Sequence, residues 1–593
     1  MPRVTAAMVA AGRTVAEPRL APGGASLAFV TVEDGHSRLV VTATAGGPER
    51  VVTSDPAPRG SHPLGGGAFD WQPDGRGLVM AGRAGGLWWQ PVGGGAATCL
   101  LAGEGFASPS VSPDGTRVVF TIDGRHVEVL TIEGGGRARL STGADFVMDP
   151  TWSPDGGTVA WHEWDVPAMP WDESRIVLGP SGGGELRRVA GGSGVQAQQP
   201  RFSPSGDRLA YLCDAGGWLN LTVLDLASGR AVALVEPKEH GAPTWGPGQR
   251  SFVWSPDGAA LAVCRNERGF GALVVWEPGG EARPLARAVH GGLDWRDGRL
   301  AAVRTGGRTP TQLVVHDGPD LARRRTLAYG PVAMGDAPMP EPELVSWPAV
   351  DGTEIPGRLY RPDTGEPGRL LVWVHGGPTD QWPVEFRARF AFWLDRDWAI
   401  LVPDHRGSTG HGRAFTQAMA GRWGELDVED TAAGIRAAVE RGWGRPGRVA
   451  VMGGSAGGFT VLNLLASHPG LCAAGVDLYG VADLLALAEV DHRYEAHYLH
   501  SLVGPLPARS AAYAERSPVN RAAAITDPVL ILQGADDQVV PRAQSEAIAR
   551  ELMALGRVVE LHVYEGEGHG WSRAETVIDE LTRTESFLQR HVP

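Results

Sequence analysis

Ser455 lies between Gly453-Gly454 and Ala456-Gly457-Gly458 in the stretch "RVAVMGGSAGGFTVLNLLASHPG", Arg448 to Gly470. An apolar run stops, four glycines crowd one serine, and a helical pattern resumes. Glycines of this kind also build strand-to-helix turns that cradle phosphate. That alternative gives no reason for a serine at the tip. Gly453 to Gly457 fits G-x-S-x-G, a pattern that forces the serine onto a sharp turn with its hydroxyl exposed. Glycines are needed there because side chains would collide with the neighbouring strand or helix. A serine hydroxyl is a weak nucleophile until a base takes its proton.

With this elbow the partners follow in the order acid, then histidine. "LILQGADDQVVP" supplies Asp536 and Asp537, and "VYEGEGHGW" supplies His569 between Gly568 and Gly570. Ser455 and Asp537 are 82 residues apart, Asp537 and His569 32. Both loops follow apolar, strand-like runs, at the edge where open α/β sheets place ligands. Asp537 is expected to orient the imidazole and stabilise its charged form, with Asp536 serving the turn. His562, inside a strand-like run, is expected to be structural. An oxyanion hole needs two backbone N–H groups. Ala456, just after the nucleophile, offers one. Gly377 in "VHGGP" (Val374 to Pro378) offers the other, with His375 propping that loop.

The elements that must hold these loops are legible in the second half. "RLLVWVHGG", "WAILVPDHRG", "RVAVMGG", "AAGVDLYG" and "PVLILQGADD" are short, nearly continuous apolar runs separated by amphipathic helical stretches. That grammar predicts a parallel sheet covered by helices, an α/β-hydrolase domain over 329–593. The first half instead repeats one turn. Pro22, Pro73, Pro113, Pro154, Pro204 and Pro256 stand in copies of a Ser-Pro-Asp-Gly-like turn, spaced 51, 40, 41, 50 and 52 residues apart, and "GLDWRDGRLAAV" adds a degenerate seventh copy. Proline presets the backbone angle, aspartate bonds its own backbone, and glycine takes the positive-φ position. A period of this length with several strands per unit predicts a seven-bladed β-propeller over 1–328, whose first residues could pack on the hydrolase domain. An open sandwich gives no reason to repeat one turn seven times. Pro-rich "GDAPMPEPELVSW" (Gly335 to Trp347) marks the change of grammar.

Bulk properties exclude other classes. A chain of 593 residues is too long for one core. A net charge of −14, with Lys238 the only lysine, argues against nucleic-acid or anionic-membrane partners and against a Walker-type phosphate site. The four scattered cysteines have no metal-ligand spacing, so no metal or cofactor is expected and a reducing compartment fits. The N-terminus makes a poor signal-peptide core and no run is long enough to span a bilayer. A cytoplasmic protein is expected, with homo-oligomerisation left open.

The combination of a Ser-Pro-Asp-Gly propeller with "HGGP", "DHRGSTGHGRAF", "GRWGELDVED", "GGSAGG", "GADDQVVP" and "GEGHGW" resembles the prolyl oligopeptidase family of serine peptidases over nearly the full chain. "HGGP" looks more like its acylaminoacyl-peptidase and bacterial aminopeptidase branches, and "WDVPAMPWDES" and "VDHRYEAHYLHSLVGP" are similar to segments there. Some such relatives cleave aminoacyl amides, including puromycin. The resemblance implies Ser455 as nucleophile, Asp537 as orienting acid and His569 as base. It also implies a propeller that restricts access to short peptides. An enzyme for free N-termini must neutralise a buried ammonium, which calls for carboxylates. Candidates are Glu163, Asp165, Asp172, Glu173, Glu236 and Glu495, each with a solvated or turn-capping role as the bland alternative. The expected function is a serine exopeptidase on short peptides or aminoacyl amides. The alternatives are an acylaminoacyl-peptidase, a small-molecule esterase or amidase with the same triad, or a binding protein with a dead hydrolase.

Overall fold

The computed structural model describes residues 4–60, 66–330, 340–362, 368–490 and 493–593. Residues 335–339 of the Pro-rich stretch and 491–492 of "VDHRYEAHYLHSLVGP" lie outside them. The chain divides into two compact units, Arg13–Pro331 and Met1–Gly12 together with Val332–Pro593.

The first unit is a propeller of seven four-stranded antiparallel sheets among the described residues. Its repeated turn works through local chemistry. In "SPDG" and its variants the serine hydroxyl reaches the aspartate two residues on, as in Ser153 to Asp155 and Ser255 to Asp257. The same carboxylate accepts a backbone N–H two residues further, from Gly157 and Ala259. These bonds hold the carboxyl below its ordinary range, at about 2 in Asp114, where the Ser112 hydroxyl is the largest cause. The repeat also joins blades. Trp71, Trp152 and Trp254 each donate their indole N–H to a carbonyl of the preceding blade, at Arg19, Ser110 and Arg201, over 3.0, 2.9 and 3.1 Å. One recurring sequence thus builds both the turn and the blade-to-blade contact.

The second unit holds an eight-stranded sheet of β1 (Glu343–Pro348), β2 (Glu354–Tyr360), β3 (Arg369–Val374), β4 (Trp398–Pro403), β5 (Val449–Gly454), β6 (Ala474–Leu478), β7 (Val529–Gly534) and β8 (Val559–Tyr564). The order is β1-β2-β4-β3-β5-β6-β7-β8. β1 and β2 pair antiparallel, as do β2 and β4, and the rest of the sheet is parallel. The apolar runs are these parallel strands. They read as continuous hydrophobics because both faces are covered. Leu370, Val372 and Val451 face one core with α2 (Leu426–Glu440), α3 (Ala456–Ser467) and α4 (Ala543–Ala554). Leu371, Trp373 and Met452 face the other, with α1 (Ala388–Leu394) and α5 (Ala574–His591). Period-two alternation along each strand splits its side chains between two cores. The chain's start belongs here too, because Val4 N–H donates to Asp395 over 2.8 Å.

Candidate active site

Ser455 is the hinge between β5 and α3, with φ 57° and ψ −124°. Positive φ in a residue with a Cβ is strained and persists only where the surroundings enforce it. Here the Ser455 N–H donates to Leu478 O on β6 over 2.9 Å. The glycines answer to close approaches. A Cβ on Gly453 would lie 2.4 Å from Gly457 O, and one on Gly457 would lie 2.5 Å from Val374 O and 2.8 Å from His375 O. The turn is therefore pressed against the end of β3, where the "HGGP" loop begins. A Cβ on Gly376 would sit 3.5 Å from the Ser455 Cβ, so that loop abuts the nucleophile.

The loop after β7 carries Asp537, whose side chain is fully buried. One oxygen accepts the N–H groups of Val539 and Val540, both at 2.9 Å. The other faces His569 Nδ1 at 2.7 Å and Gln533 Nε2 at 3.3 Å. A carboxylate can only accept, so the proton in this contact sits on His569 Nδ1. Asp536 is exposed, and its backbone N–H donates to Glu567 O over 2.9 Å. Ala535 N–H likewise donates to Tyr564 O over 2.9 Å, so the acid and base loops are zipped together by their main chains. The pairing needs Gly534, where a Cβ would lie 2.2 Å from Gly568 O. Buried Glu567 braces the histidine loop by accepting from Ser572 N and Oγ and Arg573 N.

Tyr479, just past β6, links base and elbow. Its ring meets His569 edge-on at 4.7 Å, and a Cβ on Gly454 would lie 3.1 Å from that ring. Burial pushes the Tyr479 hydroxyl up to about 12, so it stays neutral. His375 is also buried neutral, with burial pushing it down to about 3. Its Nδ1 faces Gly376 O at 2.7 Å, its Nε2 faces Ser408 Oγ at 2.7 Å, and its ring stacks on His405 at 4.6 Å. Those contacts fix the loop that carries Gly377. Past Gly377, the Tyr498 hydroxyl accepts from Thr379 N at 3.1 Å and donates to Thr379 Oγ1 at 2.6 Å. Sequence reasoning did not single out Tyr498, Ser408, Gln533 or Glu567. Tyr498 stands 119 residues from Thr379, and no local pattern joins them. Ala456 opens α3, where the first N–H groups of a helix have no carbonyl partner within it.

The candidate substrate acids fall into separate settings. Glu163 is nearly buried, accepts from Trp161 Nε1 at 2.7 Å and pairs with Arg175 at 2.8 Å. Asp165 pairs with the same arginine at 2.6 Å. Asp172 accepts from Met169 N at 3.2 Å and Glu173 from Gly194 N at 2.7 Å. Glu236 lies 3.3 Å from Arg265 and 3.4 Å from His240, and its contact with His240 is the largest cause lowering its carboxyl. Those five belong to the propeller unit. Glu495 is half-buried in the other unit, where its carbonyl accepts from Tyr498 N at 2.8 Å.

Fold and site together define an α/β-hydrolase domain carrying a serine elbow and an Asp-His pair, in a chain that also folds a seven-bladed propeller. Residues 384–593 match the family model described as the prolyl oligopeptidase family, and the C-terminal unit carries a domain of that family. The chain is 34% identical over 227 residues to dipeptidyl aminopeptidase BIII of Pseudoxanthomonas mexicana, covering 37% of this chain and 33% of that one. It is 32% identical over 230 residues to dipeptidyl peptidase family member 6 of Caenorhabditis elegans, covering 38% and 31%. The matched stretch thus spans about a third of those relatives. A solved puromycin-hydrolyzing peptidase of Mycobacterium tuberculosis superposes with a TM-score of 0.92 at 28% identity, covering 100% of this chain and 96% of that one.

Proposed function

We propose that this chain is a serine exopeptidase that hydrolyses short peptides or aminoacyl amides through an acyl-enzyme, releasing N-terminal residues. The observation that carries it is the 2.7 Å contact of buried Asp537 with His569, on two zipped loops beside the positive-φ elbow of Ser455. Ser455 Oγ attacks the substrate carbonyl carbon while His569 Nε2 takes its proton. The N–H groups of Gly377 and Ala456 stabilise the developing oxyanion. His569 then gives the proton to the leaving amine, the C–N bond breaks, and water hydrolyses the ester by the same steps reversed. Asp537 keeps the imidazole in the productive tautomer.

The propeller is proposed to select for short chains, while Glu163 and Asp165 are occupied by Arg175 within their own blade. The M. tuberculosis relative's name supports aminoacyl amides as substrates. The net charge of −14 argues against nucleic-acid partners, and the scattered cysteines support a cytoplasmic setting. Among the described residues no helix is long and apolar enough to cross a membrane.

The test compares p-nitroanilides of free and acetylated amino acids, p-nitrophenyl esters, and peptides of increasing length. Ser455→Ala should abolish fluorophosphonate labelling and lower kcat on the order of 10⁴–10⁶. Undiminished labelling in that variant removes Ser455 as nucleophile. Turnover of esters alone favours the esterase alternative, and faster cleavage of acetylated substrates favours the acylaminoacyl-peptidase.

A further inference from the structure

Asp380 follows the "HGGP" loop by two residues. Its neighbours are both tied down. Thr379 is buried and held by Tyr498, as described above. Gln381 is buried and donates to Asp404 Oδ2 over 2.8 Å. Asp404 is locked in turn by a bidentate pair with Arg358, both contacts at 2.6 Å, and by His411 at 2.7 Å. The Asp380 main chain is fixed as well, with its N–H donating to Pro378 O at 3.0 Å and its carbonyl accepting from Thr409 N at 2.9 Å. A residue pinned on both sides presents a preorganised carboxylate.

The base of that side chain lies next to the candidate oxyanion donor. A Cβ on Gly377 would be 3.1 Å from the Asp380 Cβ. The carboxylate is half-buried, and one of its oxygens accepts the Gln381 N–H at 2.8 Å. Among the described residues it has no cation within ion-pair distance. Arg387, the cation that acts on it from a distance, already pairs with Glu385 at 2.5 Å and covers the Trp382 ring at 4.2 Å. Burial without a counter-ion pushes the carboxyl up to about 7. Holding a carboxylate half-desolvated and unpaired is costly unless a ligand supplies the missing charge. In an aminoacyl substrate the α-ammonium is two bonds from the scissile carbonyl. A group recognising it must therefore stand close to the oxyanion donors, and the Asp380 side chain starts beside one candidate donor, Gly377.

We propose that Asp380 is the specificity-determining residue that accepts the α-ammonium of the residue whose carbonyl is attacked. This rests on Ser455 being the nucleophile, and it favours single-residue release from a free N-terminus. An ammonium on a basic side chain shares the same chemistry, so the experiment separates the two sources.

The experiment measures kcat/KM of the full chain and of Asp380→Asn on phenylalanine p-nitroanilide, its N-acetyl analogue, and N-acetyl-lysine p-nitroanilide. Asparagine keeps the shape and the bond from Gln381 N while removing the charge. Loss of a charge-assisted contact predicts that the free-to-acetylated ratio for phenylalanine falls by about 10- to 100-fold. A fall confined to the lysine substrate assigns Asp380 to side-chain recognition and overturns the α-ammonium proposal. An unchanged ratio, whether both rates hold or both drop, overturns it too, as does a wild type that cleaves both phenylalanine substrates equally. Fluorophosphonate labelling of Ser455 in both proteins keeps these failures distinct from failure of the nucleophile, which unlabelled wild type would show.

Discussion

Gly457→Ala puts the link between the elbow and the oxyanion loop under direct strain. Gly457 is the second residue of α3, where alanine ordinarily stabilises a helix by roughly 0.5–1 kcal/mol over glycine. The structure reverses that sign. The added Cβ would stand 2.5 Å from Val374 O, against about 3.4 Å for ordinary contact, so one of the two backbones must shift by 0.9 Å. Both partners are main chain and neither can rotate away. Overpacking of this kind costs about 1–3 kcal/mol. The shift also falls between Ser455 and the loop that carries Gly377. A misplacement of about 1 Å costs on the order of 10²-fold in rate, which is about 2.7 kcal/mol of barrier. Sites should first be counted by fluorophosphonate titration, then kcat per competent site measured on the best p-nitroanilide. The expected loss is about 100-fold per site with circular dichroism unchanged. Gly216→Ala, where nothing lies within 4 Å of the added Cβ, is the control and should behave as wild type. If Gly457→Ala keeps kcat within threefold, the elbow is not braced against β3 as described.

Two further substitutions probe separate links. Asp537→Asn should lower kcat by about 10⁴ through the wrong imidazole tautomer, whereas Asp536→Asn, at an exposed carboxylate, should change it by less than threefold; equal effects in steady-state kinetics would remove the distinction between them. Asp404→Ala strands the buried Arg358 guanidinium and should destabilise the C-terminal unit by about 3–5 kcal/mol, read as a lower urea midpoint at pH 7. Burial works against the Asp404 charge, but Arg358 outweighs it and holds the carboxyl well below the usual range. A depressed folded pKa stabilises above the unfolded value of about 3.9 and loses that contribution as pH falls further. The gap between wild type and variant should therefore be full at pH 7 and narrow below about pH 4; a gap that does not depend on pH would rule out the charge as its source.

Features closed within a few residues were readable in the linear chain. The Ser-Pro-Asp-Gly turn needs only its own serine, aspartate and glycine, so its repetition exposed the blades. The elbow is similar, because a serine among glycines between a strand pattern and a helix pattern leaves few backbone solutions. The parallel strands were readable because burial on both faces makes them continuously apolar. The propeller acids show the limit of such reasoning. Glu163 and Asp165 stand in the sequence as candidates to meet a substrate ammonium, yet both meet Arg175, one strand away in the same blade.

Residue types and order alone pointed to a serine elbow, an acid loop and a histidine loop at one sheet edge, because turn geometry and strand burial are local. Tertiary structure alone decided that the Asp537 and His569 loops are zipped together, that Tyr498 and Ser408 brace the "HGGP" loop, and that among the described residues Asp380 has no counter-ion. Those outcomes depend on which side chains converge from segments 30 to 120 residues apart. Convergence over such separations is set by packing of the whole domain, which no short window of sequence contains.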